Sequence, residues 1–376
     1  MMKRVLHFFF ELVFARWMMP SAAAASTRHF LISGYTGLGH FVLKTAFIKK
    51  LEELYPGCKI TIVAGNTFGT EFVLKGYPTF ILNEKANALT KVLFFLQLRK
   101  EKFDVAFLPF DASPKFLIRG TIIAGVPIRV GHVYGDAHIP QYYYTNHVPV
   151  RKRNGRSEID MNLDLLESLH QRSFKREYVP IVNWTPREGD LERFSLKKGR
   201  YICIQMGAAN GHPTTKRWLE PHFRTLITRI LEQHRDIDIV ALGDKGDLQI
   251  VQRICESIES PRLKNLCGKI DMEDTKTLIG ACRVLICHDS GLLHLGNALG
   301  THVLALYGPS NPDYYALQLP TCHILRKPCE CTPLLGLFPG MDGEPTEEEA
   351  AKKCPIPKCM ERLTPDEVYS ACALFL

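Results

Sequence analysis

Four residues within six positions, Asp289, Ser290, Gly291 and His294, form the densest chemistry in the chain. The apolar run 284–287 before them reads as a buried parallel strand. His288-Asp289-Ser290-Gly291 then makes a tight polar turn in which Asp and Ser are good helix N-caps. Residues 292–299 continue with helical spacing, Gly300 closes the helix as a C-cap, and 303–307 is a second buried strand. This is one βαβ unit with a polar loop at the carboxyl edge of its strand, where open α/β sheets bind ligands. The helix N-terminus there offers backbone N–H groups and roughly half a positive charge to an anion. His294, four residues after Ser290, stands on the same helical face. Each residue alone also fits a capped helix with a half-buried histidine; together they point to an anion site.

The elements around this loop repeat. In the second half, strand 201–206 leads into the loop 207–215, with Gly207 and Gly211, and then Lys216-Arg217-Trp218 before helix 221–234. Strand 238–242 ends in Gly243-Asp244, followed by helix 247–260, a short strand 264–267 and helix 274–281. In the first half, strand 29–33 runs into Gly34-Tyr35-Thr36-Gly37-Leu38-Gly39-His40 and helix 41–54. Strand 59–64, helices 66–74 and 89–100, strand 105–108, helix 115–124, strand 128–130 and helix 159–169 follow. The glycine-rich turn is not the strict GxGxxG fingerprint of a dinucleotide site, and the acid expected after the next strand is missing. Asp111 sits just past strand 105–108 and can act as a base; a turn or cap before Ser113-Pro114 suits it equally. The run Arg151–Arg156 reads as a solvated loop, with recognition of an anionic acceptor as a second reading. The spacing predicts an α/β protein of two doubly wound, Rossmann-like domains facing across a cleft, 28–185 and 186–376, after an N-terminal segment 1–27.

A chain of 376 residues suits two domains, and 46% hydrophobic with 23% charged residues is ordinary globular composition. The net charge of +8 suggests an anionic partner such as a nucleotide, a phosphorylated glycan or an anionic membrane face. Basic and aromatic residues do not interleave as single-stranded nucleic acid requires, so no nucleic-acid partner is expected. No run of about 20 apolar residues predicts a membrane span. Residues 1–27 fit two descriptions: a signal peptide, or an amphipathic helix with Phe and Trp inserted in a membrane and Lys/Arg at its head groups. The surface helix is preferred, since the remainder reads as a consumer of cytosolic nucleotides. Cys203, Cys255, Cys282 and Cys287 lie in apolar runs and are expected to be buried thiols in a reducing compartment.

Residues 34–54, Lys216-Arg217-Trp218 and Asp289-Ser290-Gly291-Leu292-Leu293-His294 resemble glycosyltransferase family 9, the ADP-heptose:lipopolysaccharide heptosyltransferases. The ending Cys354-Pro355, Cys359-Met360 and Leu363-Thr364-Pro365-Asp366-Glu367-Val368 resembles that family too. The resemblance implies a GT-B fold, with the nucleotide sugar held mainly by the C-terminal domain, and inverting transfer without a catalytic metal. It implies that Lys216 binds the donor pyrophosphate and that Asp289, Ser290, Gly291 and Leu292, with His294 beside them, hold phosphate and sugar. A diphosphate leaving group gains negative charge as the glycosidic bond breaks, and such a loop opposes that charge in place. Asp244 or Asp247 could accept from a ribose or sugar hydroxyl, although capping suits each better. One departure stands out. Where the family's glycine loop usually carries Gly-Asp, its candidate general base, this chain has Gly39-His40. The catalytic candidates are therefore His40 and Asp111, and Asp111 is preferred because its carboxylate can stand in for the missing acid.

Cys329-x-Cys331, then 22 residues, then Cys354-x4-Cys359 could form a tetrathiolate Zn or Fe site; free thiols fit the uneven spacing as well. The leading expectation is an enzyme that moves a heptose or related sugar from a nucleotide-sugar donor, with ADP-heptose foremost. Its acceptor would be a lipopolysaccharide-core or other glycan or a protein, at the inner face of the cytoplasmic membrane. The alternative, kept open by His40, is a non-catalytic GT-B homologue that binds a nucleotide sugar or glycan as an assembly partner.

Overall fold

The computed structural model describes residues 29–109, 115–133, 143–149, 157–174, 180–185, 189–207, 216–317, 319–329, 332, 349, 352–354 and 358–376. The N-terminal segment 1–27, Asp111, the run Arg151–Arg156, residues 208–215 and Cys331 lie outside them. The chain divides into two compact units, Met1–Tyr178 and Val179–Leu376.

The first unit alternates strand and helix: β1 (His29–Ser33), α1 (Leu38–Leu54), β2 (Lys59–Ala64), β3 (Thr79–Ile81), α2 (Ala88–Leu98), β4 (Val105–Leu108), α3 (Lys115–Ile123), β5 (Ile128–Val133), β6 (Asn146–Pro149) and α4 (Glu158–His170). Its sheet is ordered β3-β2-β1-β4-β5-β6, and every pairing is parallel. Strand order reverses between β1 and β4, the place where ligands enter doubly wound sheets. Central strands buried on both faces explain the near-continuous apolar runs, such as Phe30, Leu31 and Ile32 in β1. Between 66 and 74 only a short helical turn, Gly69–Val73, forms in place of the longer helix expected.

The second unit repeats the plan with β7 (Tyr201–Gln205), α5 (Glu220–Gln233), β8 (Asp238–Leu242), α6 (Leu248–Glu256), β9 (Leu263–Asn265), α7 (Met272–Ala281), β10 (Val284–His288), α8 (Gly291–Ala298), β11 (His302–Tyr307), α9 (Pro312–Tyr315), β12 (Cys322–Arg326), α10 (Lys358–Arg362) and α11 (Pro365–Cys372). Its order, β12-β11-β10-β7-β8-β9, is the same topology with the reversal between β7 and β10. Gly300 adopts φ +73° after α8, the left-handed conformation a helix C-cap favours. The C-terminal residues Cys359, Met360, Leu363, Val368 and Cys372 complete the core formed by β7, β8 and α5. Residues 180–185 are tied to this unit: Lys276 donates to the Asn183 carbonyl (3.0 Å), and the Trp184 indole N–H to Thr277 Oγ1 (3.3 Å). Among the described residues, no helix is long and apolar enough to cross a membrane.

Candidate functional site

In the second unit the polar residues gather at the carboxyl ends of β7 and β10, the adjacent strands at the reversal. His288, expected in the turn, is instead the last residue of β10 and is fully buried. Its Nε2 accepts the Trp218 backbone N–H (2.9 Å), so the ring proton must sit on Nδ1, which donates to the Gly207 carbonyl (2.8 Å). Burial pushes this imidazole down to about 4, against the partly opposing bond to Gly207. His288 is therefore neutral, and it fastens the loop after β7 and the Lys216–Trp218 segment to the end of β10. The Trp218 indole N–H is held in turn by the Leu363 carbonyl (2.7 Å).

On this brace sit the charges. Lys216 Nζ lies 3.0 Å from Asp289 Oδ2, with the Asp289 side chain 9% exposed and that of Lys216 20%. Burial alone would raise the Asp289 carboxyl, but Lys216 outweighs it, helped by the Ser310 hydroxyl and His294, and the carboxyl is held below the ordinary aspartate range. Ser290 occupies the N-cap position of α8, but its hydroxyl does not cap the helix: it donates to Gln205 Oε1 (2.6 Å) at the end of β7. The expected caps are thus spent across the two strands, and α8 begins at Gly291 without a side-chain cap. Leu292 and His294 are both buried on α8. The result is a lysine–aspartate pair beside an uncapped helix N-terminus, an arrangement suited to a phosphate group.

Asp247 is placed differently. Its carboxylate is buried, 3.5 Å from the Arg217 guanidinium, and accepts the Asp244 N–H (3.4 Å) in a capping box that opens the short 3-10 turn Lys245–Asp247 leading into α6. Gly207 lies directly over it: a Cβ there would come within 1.8 Å of the carboxyl carbon. Asp247 therefore supports the loop from beneath, the capping role that its position in the sequence also allowed.

In the first unit, His40 stands in the first turn of α1, just past the carboxyl end of β1. Helices α1 and α4 pack together, and His40 Nδ1 meets Glu158 Oε2 at 2.5 Å. Glu158 is fully buried, while the His40 side chain is 33% exposed. As the first residue of α4, after the Ser157 N-cap and its capping box with Asp160, this carboxylate lies in the positive field of the helix N-terminus. A carboxylate on Nδ1 fixes the tautomer whose Nε2 can accept a proton. One turn on, Lys44 is buried and donates to the Ser33 carbonyl (3.1 Å). Asp111, the other base candidate, follows β4 outside the described residues.

Of the tail cysteines, Cys354 and Cys359 are buried and Cys329 half-buried. Burial pushes the Cys359 thiol up to about 11, with Cys329 and Cys354 close enough to add to the effect. Among the described residues, no three His, Cys, Asp or Glu side chains converge tightly enough to hold an ion. Cys203 and Cys287 are buried free thiols and Cys255 and Cys282 half-buried ones.

Three contributors were not anticipated from the sequence: His288, Gln205 and Glu158. Glu158 carried a local signal, since Ser157 and Asp160 spell a capping box. Its meeting with His40 across 118 residues is tertiary and has no local trace.

Proteins of similar sequence and fold are known. The lipopolysaccharide heptosyltransferase 3 of Escherichia coli is 24% identical over 289 residues, 74% of this chain and 82% of the relative. The solved E. coli ADP-heptose LPS heptosyltransferase II superposes with TM-score 0.69 at 18% identity, covering 92% of this chain and 98% of that one. The dodecameric iron-containing heptosyltransferase TibC, solved with ADP-D-beta-D-heptose, superposes with TM-score 0.54 at 13% identity, over 93% and 77% of the two chains. These likenesses bear out the α/β fold of two Rossmann-like units. The sequence itself matches the family described as glycosyltransferase family 9 (heptosyltransferase) across residues 97–336, and the chain belongs to that family.

Proposed function

We propose that this glycosyltransferase moves a heptose from ADP-heptose to a lipopolysaccharide-core acceptor, on the cytoplasmic side of the membrane that carries it. The observation behind this reading is the Lys216–Asp289 pair beside the uncapped start of α8, braced by His288. Lys216, Asp289, Ser290, Gly291 and Leu292 would receive the diphosphate and sugar, with His294 and Gly207 shaping the loop. As the glycosidic bond breaks, negative charge grows on the diphosphate, and an ammonium with fixed N–H donors stabilises it where it forms. His40 takes the proton of the attacking hydroxyl on Nε2, and Glu158 acts through it as a positioning residue, holding the ring and the imidazolium. The contact with Glu158 shifts the choice of base from Asp111 toward His40.

Because Lys216 and Asp289 are each other's counter-ion, removing one strands the other. The test therefore uses Lys216→Gln and Asp289→Asn. Calorimetric titration with ADP-heptose should show affinity falling about 10- to 100-fold in each, the loss of a charged hydrogen bond. Unchanged affinity in both would place the donor elsewhere. Donor binding by a wild-type protein that transfers no sugar would favour the assembly-partner alternative. The tail also belongs to this reading. Cys329, Cys331, Cys354 and Cys359 would hold a structural Fe or Zn, a reading supported by Cys329 and Cys354 lying close enough to Cys359 to influence its thiol and by soft sulfur donors suited to either ion.

A further inference from the structure

Helix α2 is apolar on two opposite faces. Phe95 and Leu98 point inward and are buried with the core of the first unit. Leu89, Val92, Leu93 and Leu96, at i, i+3, i+4 and i+7, form a second stripe that is 39% to 68% exposed. Ile81, at the end of edge strand β3, is 42% exposed. These five are all but one of the large apolar side chains exposed among the described residues, the other being Leu374. A helix that is apolar all round is ordinarily covered on every side.

We propose that this face of α2 docks on an anionic phospholipid surface. The charges around it suit that occupant: Lys85, Arg99, Lys100 and Lys102 are all exposed, four basic groups against the acids Glu84 and Glu101. Lys91 takes no part, since it turns inward to the Glu84 carbonyl (2.6 Å) and over the Phe116 ring. Leucines entering the acyl boundary with lysines at the head groups are the pattern of an interfacial helix. Five side chains offer on the order of a few hundred Å², well short of the roughly 800 Å² per partner of a stable dimer. The inference rests on the proposed function, because an acceptor built on lipid is met at a membrane surface.

The test is co-sedimentation of the full chain with vesicles of phosphatidylcholine and phosphatidylglycerol. Wild type should bind these and not vesicles of phosphatidylcholine alone. The triple variant Leu89→Gln, Leu93→Gln, Leu96→Gln should lose about tenfold or more in partition, and Lys100→Glu with Lys102→Glu should also weaken it. All five positions are exposed, and an unchanged circular dichroism spectrum and thermal unfolding transition verify that each variant is folded. Equal partition of wild type and triple variant, or a wild type that binds no vesicle, overturns the proposal. A dimeric wild type that the triple variant renders monomeric also overturns it, in favour of a second copy as occupant. Sedimentation needs no catalysis, so a failure of the proposed transfer shows separately, as absent turnover on a water-soluble acceptor glycan.

Discussion

Among single residues, His288 sets a limit that a pH titration can read. Its folded value near 4 lies below the ordinary 6.5. Between these values the unfolded chain takes up a proton that the folded chain refuses. The stabilisation is therefore complete above about pH 6.5 and is lost as pH falls through about 4, costing about 2 kcal/mol between pH 7 and pH 5. Denaturant unfolding followed by indole fluorescence suits this, because the described tryptophans, Trp184 and Trp218, both lie in the second unit. His288→Gln should flatten the pH dependence and cost about 1–3 kcal/mol at pH 7 by leaving the Gly207 or Trp218 group unpaired. An identical slope in variant and wild type would show that His288 is not the group titrating. Here sequence reading reached only part of the truth. Asp289 and Ser290 were legible as polar residues at a helix start. Their pairing with Lys216 and Gln205, 73 and 85 residues away, was not, because N-cap preference describes one helix while the contacts cross strands.

At the scale of elements, the sequence marks the strands that are buried on both faces. Runs such as those of β1, β7, β8, β10 and β11 are apolar enough to be read directly. The unanticipated strands, β3, β6 and β12, all lie at sheet edges, where one side lacks a neighbour and composition drifts toward that of loops. The glycine loops and helices flanking β1, β7 and β10 were readable because a continuous apolar run gives way there to glycine and polar turn residues and then to helical spacing. The C-terminal helices α10 and α11 close the second core, and α10 carries Cys359 into it beside Met360. A metal held by the four tail cysteines would tie α10 to the segment after β12. Elemental analysis of purified protein should find close to one Fe or Zn per chain, and a chelator should lower the unfolding temperature of the second unit. No metal, with all four thiols titrating freely in the folded protein, would remove the site.

Across the whole molecule, one topology serves twice with different chemistry at the same place. In each unit strand order reverses beside the first strand of that unit, and the polar residues follow the strands on either side of the reversal. In the first unit these are His40 and Asp111, the proposed proton-transfer set. In the second they are Gly207, Lys216 and Asp289, the proposed anion-binding set. Division by unit makes a prediction that neither site makes alone. His40→Ala should cut kcat about 100-fold, the usual worth of a general base, and Glu158→Gln should follow it in part, with partial rescue by Glu158→Asp. Both should keep wild-type donor binding: ADP at 100 times its dissociation constant should still stabilise the protein by about 2.7 kcal/mol. Lys216→Gln should do the reverse, losing most of that stabilisation at the same ADP concentration while keeping His40 and Glu158 in register. The comparison also separates the two bases, since Asp111→Asn should slow transfer less than His40→Ala if His40 carries the proton. A larger loss with Asp111→Asn would return the role to the carboxylate. A loss of ADP stabilisation with His40→Ala would show that the two sets do not work as separate parts.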